Sequence, residues 1–252
     1  MGSVAGLLAG LLGVGGGLII VPMLLWLFQW QGLESPYLMQ LAVGTSLASI
    51  VFTSLASVYA HHQHRAVLWP QVFSLTPGIL AGALLGALLA DQLASARLTT
   101  LFALFELLVA VQMFWGMSTT QQQRHLSRTA LHLAGLLIGA FSALIGIGGG
   151  TLTVPFLSAI NTPIRHAVAT SAACGLPIAL AGSIGFVVIG WGKNLPESSW
   201  GYLYPPALLG IVLCSVLFAP LGARLAHRLP TRVLKRFFAG FLLVLGLGLL
   251  WF

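Results

Sequence analysis

The chain has 252 residues, 58% of them hydrophobic and only 6% charged, with a mean hydropathy of +0.99. A soluble domain carries roughly a quarter charged residues, so this composition excludes a water-soluble globular enzyme and indicates a polytopic protein of the lipid bilayer. Eleven Lys and Arg against four Asp and Glu give a net charge of +7; much of it sits in one loop, which reads as membrane topology and not as a nucleic-acid footprint.

Residues 3–28 form a first apolar run, interrupted at residues 13–17 by four glycines in five positions. Each glycine costs about 1 kcal/mol in a helix interior relative to alanine, so the run is expected to break there. These residues carry no basic segment of the kind that opens a signal peptide, and they are read as part of the working protein. A loop with Glu34 leads to a second helix at residues 38–60, which contains Gly44-Thr45-Ser46. His61, His62, His64 and Arg65 follow at the helix end and read as interfacial residues, with no metal site expected.

A third helix at residues 71–90 carries small residues every fourth position at Gly78, Gly82 and Gly86, and a fourth at residues 98–117 carries Glu106. Such ladders let helices approach closely, within a chain or in a homodimer. Asp91, between those helices, is expected to be solvated. The polar stretch at residues 118–129 is read as a linker between a first repeat (1–117) and a second repeat (130–252).

The second repeat restates the first. Residues 13–22 read GVGGGLIIVP and residues 146–155 read GIGGGTLTVP, an offset of 133. Ala169-Thr170-Ser171 answers Gly44-Thr45-Ser46 at an offset of 125. Apolar helices at residues 167–191 and 203–223 come next, then a basic loop with Arg224, Arg228, Arg232, Lys235 and Arg236, then a last helix. Cys174 and Cys214 fall inside apolar helices and read as small buried hydrophobes.

Loop charges bear on how the halves are oriented. If the broken runs cross the bilayer fully, the halves are parallel and the basic residues divide four against seven. If they dip in and return, each half is a Gly-broken first helix plus three transmembrane helices, and the halves are inverted. Nine basic residues then face one side, and only Arg97 and Lys193 face the other, the bias expected of a cytoplasmic and an external surface. About 13 residues on each side of a break make roughly 20 Å of helix, short of two crossings of a core about 30 Å thick. The inverted arrangement, with external termini, is favoured over a broken helix that still crosses.

Irregular backbone at membrane depth is tolerated where it is buried in protein or lines a polar cavity, and paired breaks in repeated halves often build a transporter's substrate site. Helices restarting at Gly17 and Gly150 present unpaired N–H groups and the positive end of a dipole, suited to an anion. The candidate binding residues are Gly15, Gly16, Gly17, Thr45, Ser46, Gly148, Gly149, Gly150, Thr151, Thr170 and Ser171, with Gly13, Pro22, Gly146 and Pro155 shaping the breaks. The competing reading is that the glycines serve helix packing and the hydroxyls bond their own helices. Glu106 is a candidate for proton coupling, and Arg165 and His166 for guiding anions at the cavity mouth. No cofactor is implied, and no catalytic grouping appears at membrane depth.

The doubled G-x-G-G-G-h-h-h-V-P segments, each followed by an A-V-G/A-T-S pattern, resemble the sulfite exporter TauE/SafE family. The stretch from His61 through Trp69 and the one from Leu229 to Lys235 match the same pattern. The resemblance implies transport of a small sulfur-containing anion, sulfite or an organosulfonate, across a bacterial inner membrane. Export follows from a membrane potential that is negative inside; an anion channel and an importer of a sulfur compound are the alternatives. Members often carry a basic residue before A-V-G-T-S, where the first half has Met39-Gln40-Leu41 and the second has Arg165-His166.

Overall fold

The computed structural model describes residues 16–115, 127–226 and 231–251, and the side chains of all of these except residues 216–226 and 231–235. The expected roles of Gly13 and Gly15, and most of the 118–129 linker, lie outside the described residues. The described residues form an all-helical assembly. The helices are α1 (Gly17–Trp30), α2 (Leu38–Gln63), α3 (Trp69–Gln92), α4 (Ser95–Trp115), α5 (Arg128–Ile145), α6 (Gly150–Ala159), α7 (Ile164–Gly190), α8 (Pro205–Ala226) and α9 (Thr231–Leu250). Five of them, α2, α3, α4, α5 and α7, are long and apolar enough to cross a membrane. The His61-His62 pair, expected just beyond the helix, continues α2, and the chain turns at Arg65 with φ 50°.

Small residues decide how the helices pack. A Cβ on Gly78, Gly82 or Gly86 of α3 would overlap the carbonyl oxygens of His132, Leu136 or Ala140 of α5, in that order. Gly135 and Gly139 of α5 return the contact against Leu75 and Ile79. The ladder expected from sequence is thus an intrachain seam, and the ascending order of the pairs makes α3 and α5 parallel.

α7 also runs parallel to α3: the Leu68 N–H donates to Thr170 Oγ1 near one end, and Gly185 meets Ala87 near the other. The α2–α7 pair runs the opposite way. There Gly44 lies against Phe186, Gly182 against Leu47 and Gly175 against Ser54. These directions put Arg65, Arg128 and Arg165 at one end of the bundle and Arg97 and Lys193 at the other.

Since α5 and α7 point the same way, the chain must return between them, and α6 makes the return. Gly149 starts it against the Ser171 carbonyl and Gly175, two turns into α7, and its far end meets the start of α7 through a short turn. The two limbs are unequal, a departure from the even split expected. α5 has 18 residues and α6 has 10, about 27 Å and 15 Å of helix; the first limb is of spanning length and only the second is a half-helix.

Candidate functional site

The two glycine breaks touch. A Cβ on Gly17 would stand 2.5 Å from the Gly146 carbonyl oxygen and 2.8 Å from Ile147 Cα, so only glycine lets α1 start against the second break. Gly146 ends α5 in the left-handed region at φ 77°, with its N–H on the Ala143 carbonyl and the Ile147 N–H on the Ser142 carbonyl. This reciprocal pair is the Schellman arrangement, which glycine accommodates without the strain of a side chain. Gly16 caps α1 from the same region, at φ 72°. Its counterpart Gly149 is right-handed at φ −58°, so the two breaks share a string of residues without sharing a backbone path. Gly146, Gly148 and Gly149 are all buried, and Gly150 half-buried.

Both α1 and α6 open with donors that have no backbone partner among the described residues. The Gly16 carbonyl accepts from the Ile19 and Ile20 N–H groups, and the Gly149 carbonyl from the Thr153 N–H. Ahead of those bonds, the N–H groups of Gly17 and Leu18, and of Gly150, Thr151 and Leu152, make no backbone hydrogen bond among the described residues. Pro22 and Pro155 sit at matching depth inside α1 and α6, and each withholds the N–H that would pair with the carbonyl four residues earlier.

The repeated Thr-Ser pairs divide their work. Thr45 Oγ1 accepts from the Tyr204 N–H, and Thr170 Oγ1 from the Leu68 N–H, both at 3.0 Å. Each threonine therefore holds the residue leading into a helix of the other half. Ser46 Oγ donates to the Gly146 carbonyl at 2.9 Å, tying α2 to the second break. Its counterpart Ser171 is buried against Gly149, and its Oγ has no partner among the described residues. Ser142, Thr151 and Thr153 also hold buried hydroxyls with no partner there. Ser142, one turn before the break, was missed by sequence reasoning; a lone hydroxyl ahead of the glycine string was its only signal.

A scan against family models matches residues 1–249 to one described as Sulfite exporter TauE/SafE. The chain belongs to the sulfite exporter TauE/SafE family. It is 38% identical to a probable membrane transporter protein of Haemophilus influenzae, covering 99% of this chain and 95% of that one. A probable membrane transporter protein of Methanocaldococcus jannaschii is 28% identical, over 99% and 93% of the two chains. No solved structure matches significantly. TauE/SafE proteins are thus a family of membrane transporters, and this member carries the glycine string twice, at residues 13–17 and 146–150.

The remaining candidates of this TauE/SafE member stand apart from the breaks. Arg165 is exposed in the first turn of α7, and His166 Nδ1 is 2.8 Å from the Ala66 carbonyl oxygen. Gln40, aligned with Arg165, is fully buried and donates through Nε2 to the carbonyls of Ala90 and Leu93, closing the end of α3. Glu106 is fully buried in α4, and neither carboxyl oxygen has a partner among the described residues. His62 Nδ1 accepts from Trp69 Nε1 at 3.3 Å. A cleft of about 240 Å³ lies between α1 and α8, lined by Leu27, Gln31, Tyr204, Ile211 and Cys214, with none of the glycine-break residues.

Asp91 corrects the sequence reading. It is half-buried and ion-paired with Lys193, and it accepts from the Tyr202 hydroxyl at 2.5 Å. Burial, then the bond to Asp91, pushes the Tyr202 hydroxyl up from its ordinary range, so it remains a donor.

Proposed function

We propose that the chain is a secondary transporter that exports a small sulfur-containing anion, sulfite or an organosulfonate, through a site between the two glycine breaks. The observation that carries this reading is the contact of Gly17, where α1 starts, with Gly146 and Ile147 of the second break. N–H groups at two helix starts and the hydroxyls of Thr151 and Ser171, without a partner among the described residues, are neutral donors suited to an oxyanion. No buried lysine is needed to hold the charge.

The antiparallel run of α2 and α7, which are repeat counterparts, supports an inverted relation between the halves. So does the reversal of the chain at residues 146–149. With Arg65, Arg128 and Arg165 at one end, that end reads as cytoplasmic, in a bacterial inner membrane. A potential negative inside then drives an anion outward by about 2.3 kcal/mol per charge per 100 mV.

Thermal unfolding of the purified protein with sulfite, thiosulfate, sulfoacetate, sulfate and chloride tests the reading. A sulfur oxyanion is expected to stabilise the wild type and to have little effect on Ser171→Ala or Gly149→Leu. Equal responses in wild type and Ser171→Ala, or no response to any of these anions, would remove the site from the breaks.

A further inference from the structure

At the Lys193 end of the bundle, three segments from both halves converge on one cluster. Asp91 comes from the end of α3, Tyr37 from the approach to α2, and Lys193 and Tyr202 from the segment joining α7 to α8. Lys193 Nζ is paired with Asp91 and lies 4.9 Å from the Tyr37 ring centre and 5.4 Å from that of Tyr202. The two rings are 5.5 Å apart, and Phe186 closes on Tyr202 from α7 at 6.1 Å. Tyr202 itself is fully buried. Its N–H donates to the Phe186 carbonyl, and its own carbonyl presses on Gly44, where a side chain would overlap it. The segment thus plugs the gap between α2 and α7 directly before the Thr-Ser pair.

The duplicated position at the other end is built differently. Thr170 holds Leu68 as Thr45 holds Tyr204, and two residues before each lie Ala66 and Tyr202. A methyl group stands where the buried phenol stands. Thr162, which precedes α7 as Tyr37 precedes α2, brings no ring. The half-helices differ in the same sense: residues 17–22 of α1 are all buried, whereas Thr151, Leu152, Val154 and Pro155 of α6 are only half-buried.

We propose that Asp91, Lys193, Tyr202 and Tyr37 form a latch that shuts the Lys193 end over the twin breaks. The structure is then a state closed at that end. The ion pair suits a reversible bond: Lys193 and Asp91 keep 27% and 22% of their side-chain surface exposed, so water can take up both charges when they part. Parting them frees the segment at residues 200–204 to withdraw from between α2 and α7. This inference rests on the twin-break site, but its test needs no substrate.

The test uses full-length protein in membrane vesicles, with Cys174→Ala and Cys214→Ala, and Val43→Cys as the reporter. Val43 is fully buried and adjoins Gly146, so its thiol reports access to the break. A charged, membrane-impermeant methanethiosulfonate is applied from each side in turn. Slow labelling is expected in the parent from the Lys193 side. Asp91→Asn and Lys193→Gln should speed it at least about fivefold, with no change from the other side. The swapped pair Asp91→Lys with Lys193→Asp should return it to the slow rate.

Unchanged labelling in the single variants would overturn the latch. So would acceleration from both sides, which marks general loosening, or a swapped pair as fast as either single. Failure of the anion-binding test with these labelling results intact would instead remove the substrate site and leave the latch standing.

Discussion

Gly17 and Gly146 are 129 positions apart in the chain, yet a Cβ on the first would lie 2.5 Å from the carbonyl oxygen of the second. The start of one half-helix therefore rests on the backbone that ends α5. Gly17→Ala should cost about 1–3 kcal/mol through overpacking against backbone that cannot rotate away. Gly17→Val should cost more and abolish the thermal response to the oxyanion. Differential scanning of both variants in detergent, with and without the anion, reads both effects.

Ser46 and Ser171 occupy matching places in the two halves, and opposite outcomes are expected from removing them. Ser46→Ala takes away the donor to the Gly146 carbonyl and should cost about 1 kcal/mol of stability. Ser171→Ala removes a hydroxyl with no partner among the described residues, so stability should hold while anion binding weakens. Equal stability losses would mean Ser171 has a structural role equivalent to that of Ser46.

Thr45 and Thr170 should behave as a matched pair. Each accepts a backbone N–H from the other half, and replacement by the isosteric valine leaves that N–H without its acceptor. About 1–3 kcal/mol is expected for each variant, whereas Thr→Ser at either position should lose less because the acceptor remains. Urea or thermal midpoints for the four variants decide this.

Much of the architecture was legible because duplication repeats rare strings. Four glycines in five residues, twice, are improbable inside apolar helices unless backbone must bend or touch there, and the structure uses Gly146 for the first purpose and Gly17 for the second. The same signal could not say that α5 would be of spanning length and α6 a half-helix, since glycine marks a break without saying which limb is longer. Contacts between distant positions were beyond reach in another way. Asp91 and Lys193 are lone charges 102 residues apart, and neither has a local pattern that names its partner. Thr45 and Thr170 were legible as hydroxyl donors by type, but nothing local showed that their oxygens also accept backbone N–H groups of the opposite half.

The α3–α5 seam offers the clearest separation of packing from intrinsic helix preference. Gly82 faces the Leu136 carbonyl so closely that a side chain would overlap it, whereas Gly240 of α9 has nothing within 4 Å of where its Cβ would be. Alanine is the better helix former by about 0.5–1 kcal/mol, so Gly240→Ala should be neutral or slightly stabilising. At Gly82 the same substitution must push two parallel helices apart along a row that also includes Gly78, Gly86, Gly135 and Gly139. A loss of about 1–3 kcal/mol is expected there, and Gly82→Leu should prevent accumulation of folded protein. Because α3 also runs along α7, displacing it should disturb Thr170 and its hold on Leu68, so Gly82→Ala should weaken anion binding as well as stability. Unaltered binding in a destabilised Gly82→Ala protein would show that the seam and the breaks are mechanically separate.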